Sequence, residues 1–226
     1  MEITMDINTN FNPSDVGPRR DVASLVPEDV NHILDIGCSI GALGAAIKQK
    51  QKASIVGIDK NVFMADLAKS TLDEVIIADL NITSLRNALG EKHLRGFDCI
   101  IFSDILEHLI DPWATLKEAS LYLNSKGIII ASIPNIRHWE TFYHLLRGRW
   151  PYQERGIYNI GHLRVFTLSN IQEMFDKAGF ALTTVRRNLR LVEKPRPINR
   201  HARYLNISFL REFFTFQYLV VAQRKN

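Results

Sequence analysis

Cysteine is nearly absent from this chain of 226 residues: only Cys38 and Cys99 occur. Both fall beside or inside apolar runs that read as buried strands, which excludes a disulfide framework and points to a reducing compartment. No apolar run approaches the roughly 18 residues that a bilayer-crossing helix needs. The opening residues MEITMDINTNFNP lack a basic start followed by an apolar core, so no secretory leader is expected and the expected location is cytoplasmic. Internal repeats and low-complexity tracts are also lacking. Charge of one sign is scarce overall, with a formal net of +4. The excess is local: Arg186, Arg187, Arg190, Lys194, Arg196, Arg200 and Arg203 face a single acid, Glu193. Such a run meets phosphate, anionic membrane or nucleic acid, or is a solvated loop.

What is present is an ordinary globular composition, 46% hydrophobic and 23% charged, and a length suited to one sizeable core. Residues 1–30 read as a polar lead-in ending in a short helix over Arg19–Leu25, and residues 31–226 as one domain. Short runs rich in Ile and Val at Ile33–Ile36, Ser54–Ile58, Val75–Ala78, Asp98–Phe102 and Gly127–Ile133 alternate with helical segments at Leu43–Lys50, Val62–Ser70, Ile82–Leu89 and Trp113–Leu123. In the last, Trp113, Leu116, Ala119 and Leu123 form an expected inward stripe. Strands apolar on both faces, separated by helices, predict an α/β, Rossmann-like, doubly wound parallel sheet with right-handed crossovers. Later, Ser169 is expected to cap a helix over Asn170–Ala178, with Gly179 ending it. Phe180–Val185 and Phe216–Ala222 read as two final strands that bring in antiparallel pairing, seven strands in all, with a helix expected near Ile207–Phe214.

Ligands of open parallel sheets bind at the carboxyl ends of the strands, near the point where strand order reverses. Here the first strand runs through Asp35 into Gly37-Cys38-Ser39-Ile40-Gly41, where glycine permits a sharp turn and a close ligand. The second strand ends at Asp59, about 20 residues beyond the turn, where an acid accepts ribose hydroxyls. The third ends at Asp79-Leu80, an acid for an exocyclic amine beside an apolar side chain for a ring. Together the two acids describe a nucleoside pocket. Glycines at 37, 41 and 44 lack the spacing of a dinucleotide fingerprint, which argues against a dehydrogenase.

These motifs, with Phe97-Asp98-Cys99-Ile100-Ile101-Phe102-Ser103-Asp104-Ile105-Leu106-Glu107-His108 in fourth place, resemble the class I S-adenosylmethionine-dependent methyltransferases across about residues 31–135. The resemblance implies S-adenosylmethionine as cofactor and S-adenosylhomocysteine as product. It implies cofactor contacts at Asp35, Gly37, Cys38, Ser39, Gly41, Asp59, Lys60, Asp79, Leu80 and Ser103. Ser39 stands where that family usually has a glycine. A cofactor-binding or cofactor-degenerate partner protein of the same fold, without transferase activity, is therefore the alternative.

Asp104, Glu107 and His108 share one face at helical spacing. Three roles stay open for them: His108 as general base for a hydroxyl acceptor, a divalent-ion site such as the magnesium-associated cluster of ubiquinone-biosynthesis-type O-methyltransferases, and a structural pin. Residues 134–168 read as an acceptor-side insertion. Its Trp139, Phe142, Tyr143, Trp150, Tyr152 and Tyr158 are candidates to wall an acceptor pocket, with His138, His162, Arg147 and Arg164 as polar contacts. His162 is the second candidate base. The stretch is similar to methyltransferases of bacterial glycan clusters, which implies a small-molecule acceptor, a glycan or glycolipid precursor. A nucleic-acid acceptor is not expected, because Ser103-Asp104-Ile105-Leu106 replaces the Asn/Asp-Pro-Pro-aromatic motif. Neither oligomeric state nor metal dependence is legible.

Overall fold

The computed structural model describes residues 17–208 and 210–225; most of the expected N-terminal lead-in lies outside them. Seven strands form one sheet: β1 (His32–Ile36), β2 (Ser54–Asp59), β3 (Glu74–Ile77), β4 (Phe97–Ser103), β5 (Leu123–Pro134), β6 (Phe180–Leu189) and β7 (Thr215–Arg224). Their order is β3-β2-β1-β4-β5-β7-β6. The first five are parallel and β7 runs antiparallel to both β5 and β6. Winding reverses between β1 and β4, so helices leave these two strands for opposite faces and a crevice opens at their carboxyl ends.

Side-chain alternation along the strands builds two cores. Leu34, Ile36, Ile100, Phe102, Ile129 and Ala131 pack on one face, against α4 (Leu85–Leu89), α5 (Pro112–Tyr122) and α7 (Leu168–Lys177). Ile33, Ile55, Cys99, Ile101, Ile128 and Ile130 pack on the other, against α1 (Arg20–Ala23), α2 (Ala42–Lys50) and α3 (Val62–Ala68). Both cysteines are buried and unpaired, and burial pushes both thiols well up, away from reactivity. Two short elements complete the chain beside β7: a 3-10 segment at Pro197–Leu205 and α8 (Arg211–Phe214).

Several boundaries differ from expectation, each for a local reason. α4 starts at Leu85 rather than Ile82, because Ser84 caps it by accepting from the Asn87 amide. β5 extends beyond Gly127–Ile133 at both ends. In α5, Leu116 and Ala119 are buried, but Trp113 is 38% exposed at the rim, while Leu123 has already entered β5. The cap of α7 is Thr167, not Ser169. Its hydroxyl accepts from the Asn170 amide, and the Asn170 side chain returns to the Thr167 backbone.

Three of the seven basic residues in the run make structural contacts. Arg187 pairs with Glu212 at 2.9 Å, Arg190 lies 3.7 Å over the Phe216 ring, and Arg186 reaches Ser24. Lys194, Arg196, Arg200 and Arg203 remain exposed. Among the described residues no helix is long and apolar enough to cross a membrane.

The cap assignment carries a stability test. Thr167→Ala should lower unfolding free energy by about 1 kcal/mol, whereas Ser169→Ala should stay within about 0.5 kcal/mol. Urea midpoints decide it, and the reverse ranking would restore the cap to Ser169.

Candidate functional site

At the end of β1, Gly37 takes φ +78° and places its amide on the Ile58 carbonyl at 2.8 Å. A Cβ there would meet Ile105 at 3.0 Å. The turn is closed on both sides, by β2 and by the residue following β4, and glycine alone fits it comfortably.

Two cavities open on either side of this turn. One, of about 250 Å³, is lined by Asp59, Lys60, Asp79, Leu80, His108 and neighbouring apolar residues. The other, of about 210 Å³, is lined by Arg19, Asp35, Cys38, Ser39, Ser103 and Asp104 among others. Gly37 and Asp104 border both. The acids ending β2 and β3 thus share one crevice, as the sequence spacing requires of a nucleoside pocket. Gly41, at φ +78°, precedes α2 and packs against Leu72 and Ala68. It shapes the loop from behind and borders neither cavity.

Asp59 holds the loop as well as facing the crevice. One carboxylate oxygen accepts the Ser39 amide at 2.7 Å, the other the Asn61 amide at 2.8 Å. The Ser39 hydroxyl is directed to the Met64 sulfur at 3.8 Å, so serine in place of glycine leaves the bend open. Asp79 accepts from the Asn81 amide at 2.9 Å, and the Asn81 side chain bridges to the His108 carbonyl and the Ile110 amide. The third strand end is thereby tied to the segment after β4.

Asp35 is the electrostatic oddity of the second cavity. It is 1% exposed, and neither carboxylate oxygen has a hydrogen-bond partner among the described residues. Burial, helped by the charge of Asp59, raises its pKa to about 7. Opposite stands Arg19, at φ 41°. Its guanidinium reaches Ser103 at 3.1 Å, Gln217 at 3.2 Å, and the carboxylates of Asp21 and Asp104. An unpartnered acid and an arginine facing one cleft suit the ammonium and carboxylate of an amino acid. Arg19, Asn81 and Gln217 were not singled out by sequence. They come from a turn before α1, the residue after a strand-end motif, and a strand 198 residues from Arg19, none with a local pattern.

The acidic cluster after β4 does not assemble as its spacing suggests. Asp104 turns away at φ 56° and is held by Arg19, Ser132 and Gln217. His162, from the long segment after β5, takes its place. Among the described residues Glu107, His108 and His162 offer ligand atoms within 4.8 Å of one another. The two imidazoles meet edge to face at 4.7 Å, and His162 Nε2 lies 3.9 Å from Glu107 Oε1. His108 Nδ1 contacts the Gly161 carbonyl at 2.9 Å, and His162 Nδ1 the Ile157 carbonyl at 3.0 Å. A carbonyl only accepts, so each Nδ1 carries the proton and each Nε2 keeps its lone pair. Burial lowers both imidazole pKa values, that of His162 to about 4. Glu107 is buried with both carboxylate oxygens unpartnered among the described residues, and its pKa rises to about 8. Two backbone amides, of Leu163 and Arg164, pin the Glu107 carbonyl at 2.8 and 3.0 Å, which fastens the acceptor-side segment to the strand-four turn.

The aromatic residues of that segment do not converge. Tyr158 is buried with Ile157 and Phe216, and Trp150 packs on them. His138 is buried against the Arg190 carbonyl, and Trp139 donates to the Leu191 carbonyl at 2.7 Å. Arg164 donates to the Ile110 carbonyl. Phe142, Tyr143 and Tyr152 point outward, and Arg147 stacks on Tyr143. None of these borders the two cavities beside Gly37.

Comparisons with known proteins bear on the family and the fold. A family model described as a methyltransferase domain matches residues 12–185. A ubiquinone biosynthesis O-methyltransferase of Coxiella burnetii is 26% identical over 117 residues, 52% of this chain and 49% of that protein. The chain thus spans about half the length of the curated relatives it matches. An S-adenosylmethionine-dependent methyltransferase structure from Mesorhizobium loti superposes with a TM-score of 0.63 at 17% identity, covering 93% of this chain and 99% of that one. A neocarzinostatin-biosynthesis O-methyltransferase, solved with S-adenosylmethionine and a hydroxynaphthoic acid, gives 0.58 at 13% identity, with 92% and 53% covered.

The raised pKa of Asp35 sets a pH dependence. Between the ordinary value of 3.8 and about 7, the unfolded chain has released a proton that the folded chain still holds. Stability therefore falls as pH rises through that window and levels off above it. In the ligand-free protein, Asp35→Asn should match the native chain near pH 4 and exceed it at pH 8, by urea midpoints. Parallel curves would show that Asp35 is solvated.

Proposed function

Because the chain belongs to the methyltransferase-domain family, with the class I fold and S-adenosylmethionine as its cofactor, we propose that it transfers the cofactor's methyl group to a hydroxyl oxygen of a small, sugar-like acceptor. The observation that carries the proposal is the pairing of two cavities across one glycine turn, with His108 lining one of them.

The bound cofactor supplies an electrophilic methyl on a sulfonium. Asp59 accepts the ribose hydroxyls while keeping its grip on the Ser39 amide. Asp79 takes the adenine amine, and Leu80 packs against the ring. Lys60 borders the same end. On the other side of Gly37, Asp35 faces the ammonium, and Arg19 with Ser103 faces the carboxylate. Cys38 and Ser39 line the wall between. An ammonium beside Asp35 favours its ionised form, so the acid that is costly in the empty cleft becomes a favourable partner in the filled one.

His108 borders the cofactor cavity and offers Nε2. That nitrogen would take the proton of the acceptor hydroxyl, while the bound cofactor would supply the methyl group and leave as S-adenosylhomocysteine. His162 stands behind His108 as the second base candidate. Alignment of the three reacting atoms does most of the work, and the base adds a factor of about 10²–10⁴.

A second use of the same side chains is supported by the unpartnered Glu107. Two Nε2 lone pairs, each set by an Nδ1–H donated to a carbonyl, and a buried carboxylate form a suitable donor set for a divalent cation. Such an ion supplies Lewis acidity to a bound hydroxyl. Asp104, committed to Arg19 and Gln217, is not part of this set.

Asp59→Ala should weaken S-adenosylmethionine binding about 10- to 100-fold by calorimetry. His108→Ala should leave that affinity nearly intact and slow S-adenosylhomocysteine release across a panel of sugar and phenol acceptors by about 10²-fold or more. Parallel assays with EDTA separate the two uses: loss of turnover restored by added Mg²⁺ selects the cation, insensitivity selects the base. Unchanged turnover in His108→Ala would remove it from the chemistry. Absence of any cofactor binding would select the partner-protein alternative.

A further inference from the structure

Helix α6 (Trp139–Leu146) is built inside out. Its inward face carries Thr141, whose hydroxyl meets that of Tyr158 at 3.1 Å, and His144, whose ring stands edge-on to Tyr158 at 5.3 Å. Its outward stripe is Phe142, Tyr143 and Leu146, with Phe142 and Leu146 one turn apart. Phe142 and Tyr143 are each 45% exposed and Leu146 is 88% exposed, with Leu145 overhanging at 55%. An amphipathic helix in water turns its apolar stripe to the core. This one presents it to the outside.

The surroundings specify what would cover it. Arg147 lies 5.4 Å over the Tyr143 ring, and Arg149 follows two residues on. Phe142 meets Phe213 at 5.8 Å, and Arg137 lies 4.9 Å over the Phe213 ring. The chain that α6 rests on, held by Trp139 to Leu191 and by Glu140 to Glu193, continues into the exposed Lys194, Arg196, Arg200 and Arg203. Glu140 and Glu193 are turned inward: Glu140 accepts from the Glu193 amide, and Glu193 accepts from the Ile157 amide. The outer surface is therefore aromatic and apolar, with arginine around it.

We propose that α6 and its arginine surround form a docking surface for an anionic phospholipid bilayer. Tyrosine favours the interfacial zone, arginine stems lie along apolar surface while their heads reach phosphates, and anionic lipid complements the local charge. This surface is separate from the cofactor cavities, and its test uses no turnover, so it fails or stands apart from the acceptor assignment.

The full chain should float with vesicles of two parts phosphatidylcholine to one part phosphatidylglycerol, and bind pure phosphatidylcholine far less. High salt should reduce binding to the mixed vesicles. Phe142→Ser with Leu146→Ser should weaken partition at least about tenfold, and Arg147→Gln with Arg149→Gln roughly thirtyfold. Both double variants should keep native cofactor affinity. Should the first misfold, the second, confined to exposed residues beyond the helix end, decides. Failure to float with anionic vesicles, or flotation indifferent to both pairs, overturns the proposal. So does a concentration-dependent dimer abolished by Phe142→Ser/Leu146→Ser without vesicle binding, which would assign the face to a second copy.

Discussion

The turn at Gly37 is the constraint on which the rest of the site depends. It lies where β1 leaves the sheet beside the reversal of strand order, with its amide on β2 and Ile105 against its Cα. A parallel sheet closes its carboxyl edge everywhere except at such a reversal. The two cavities open there because the loop is thin, and it is thin because glycine has no side chain to fill it. Any bulk at this residue would push Ile105 away, and with Ile105 the whole turn that carries Asp104, Glu107 and His108. Cofactor cleft and candidate catalytic cluster are thus fixed by one backbone conformation.

Loop and ligand groups are coupled a second way, through Asp59. Its carboxylate binds the Ser39 and Asn61 amides, so the residue proposed to hold a ribose also sets the path of the glycine loop. Ser39 adopts φ 50°, a conformation open to glycine at no cost and to serine at some. Two interactions offset that cost locally, the amide bond to Asp59 and the hydroxyl contact to Met64. The departure from glycine at this place is accommodated by the side chain turning off the cleft, which is why it leaves the cavity unobstructed.

The sheet and the crevice shared by Asp59 and Asp79 were legible in the sequence because their signals are local. Strand alternation, a glycine turn and acids at strand ends each lie within a few residues, and the crevice follows from the order of the strands. Where sequence failed, the partners are distant. Asp104, Glu107 and His108 looked like one group by spacing, yet Asp104 takes the left-handed conformation and is claimed by Arg19 and Gln217, from opposite ends of the chain. Its place is filled by His162, 54 residues beyond His108 and set by the backbone pairing of Leu163 and Arg164 with Glu107. The aromatic-rich insertion read as a single pocket wall because composition carries no direction. In space Tyr158 and Trp150 face inward and Phe142 and Tyr143 outward, a division that only the contact with Phe216 and the strand beneath decides.

Two buried carboxylates without partners frame the chemistry, and they are alike in cause but not in position. Asp35 lies at the end of β1 and Glu107 in the turn after β4, each nearly excluded from water, each with its pKa raised by burial. A fold keeps such groups at a cost in stability, since an apolar residue of similar size would pack there without penalty. The cost is understandable if each faces a cation that arrives with the ligands: an ammonium for Asp35, and for Glu107 a metal ion or an imidazolium formed when a neighbouring histidine takes a proton. In both cases the charge created or delivered during the cycle offsets the burial that the empty site bears alone. The same logic explains why His108 and His162 are held neutral by burial rather than paired with Glu107 at rest, at 3.9 Å for the nearer contact: a salt bridge formed in advance would consume the lone pair that the reaction needs.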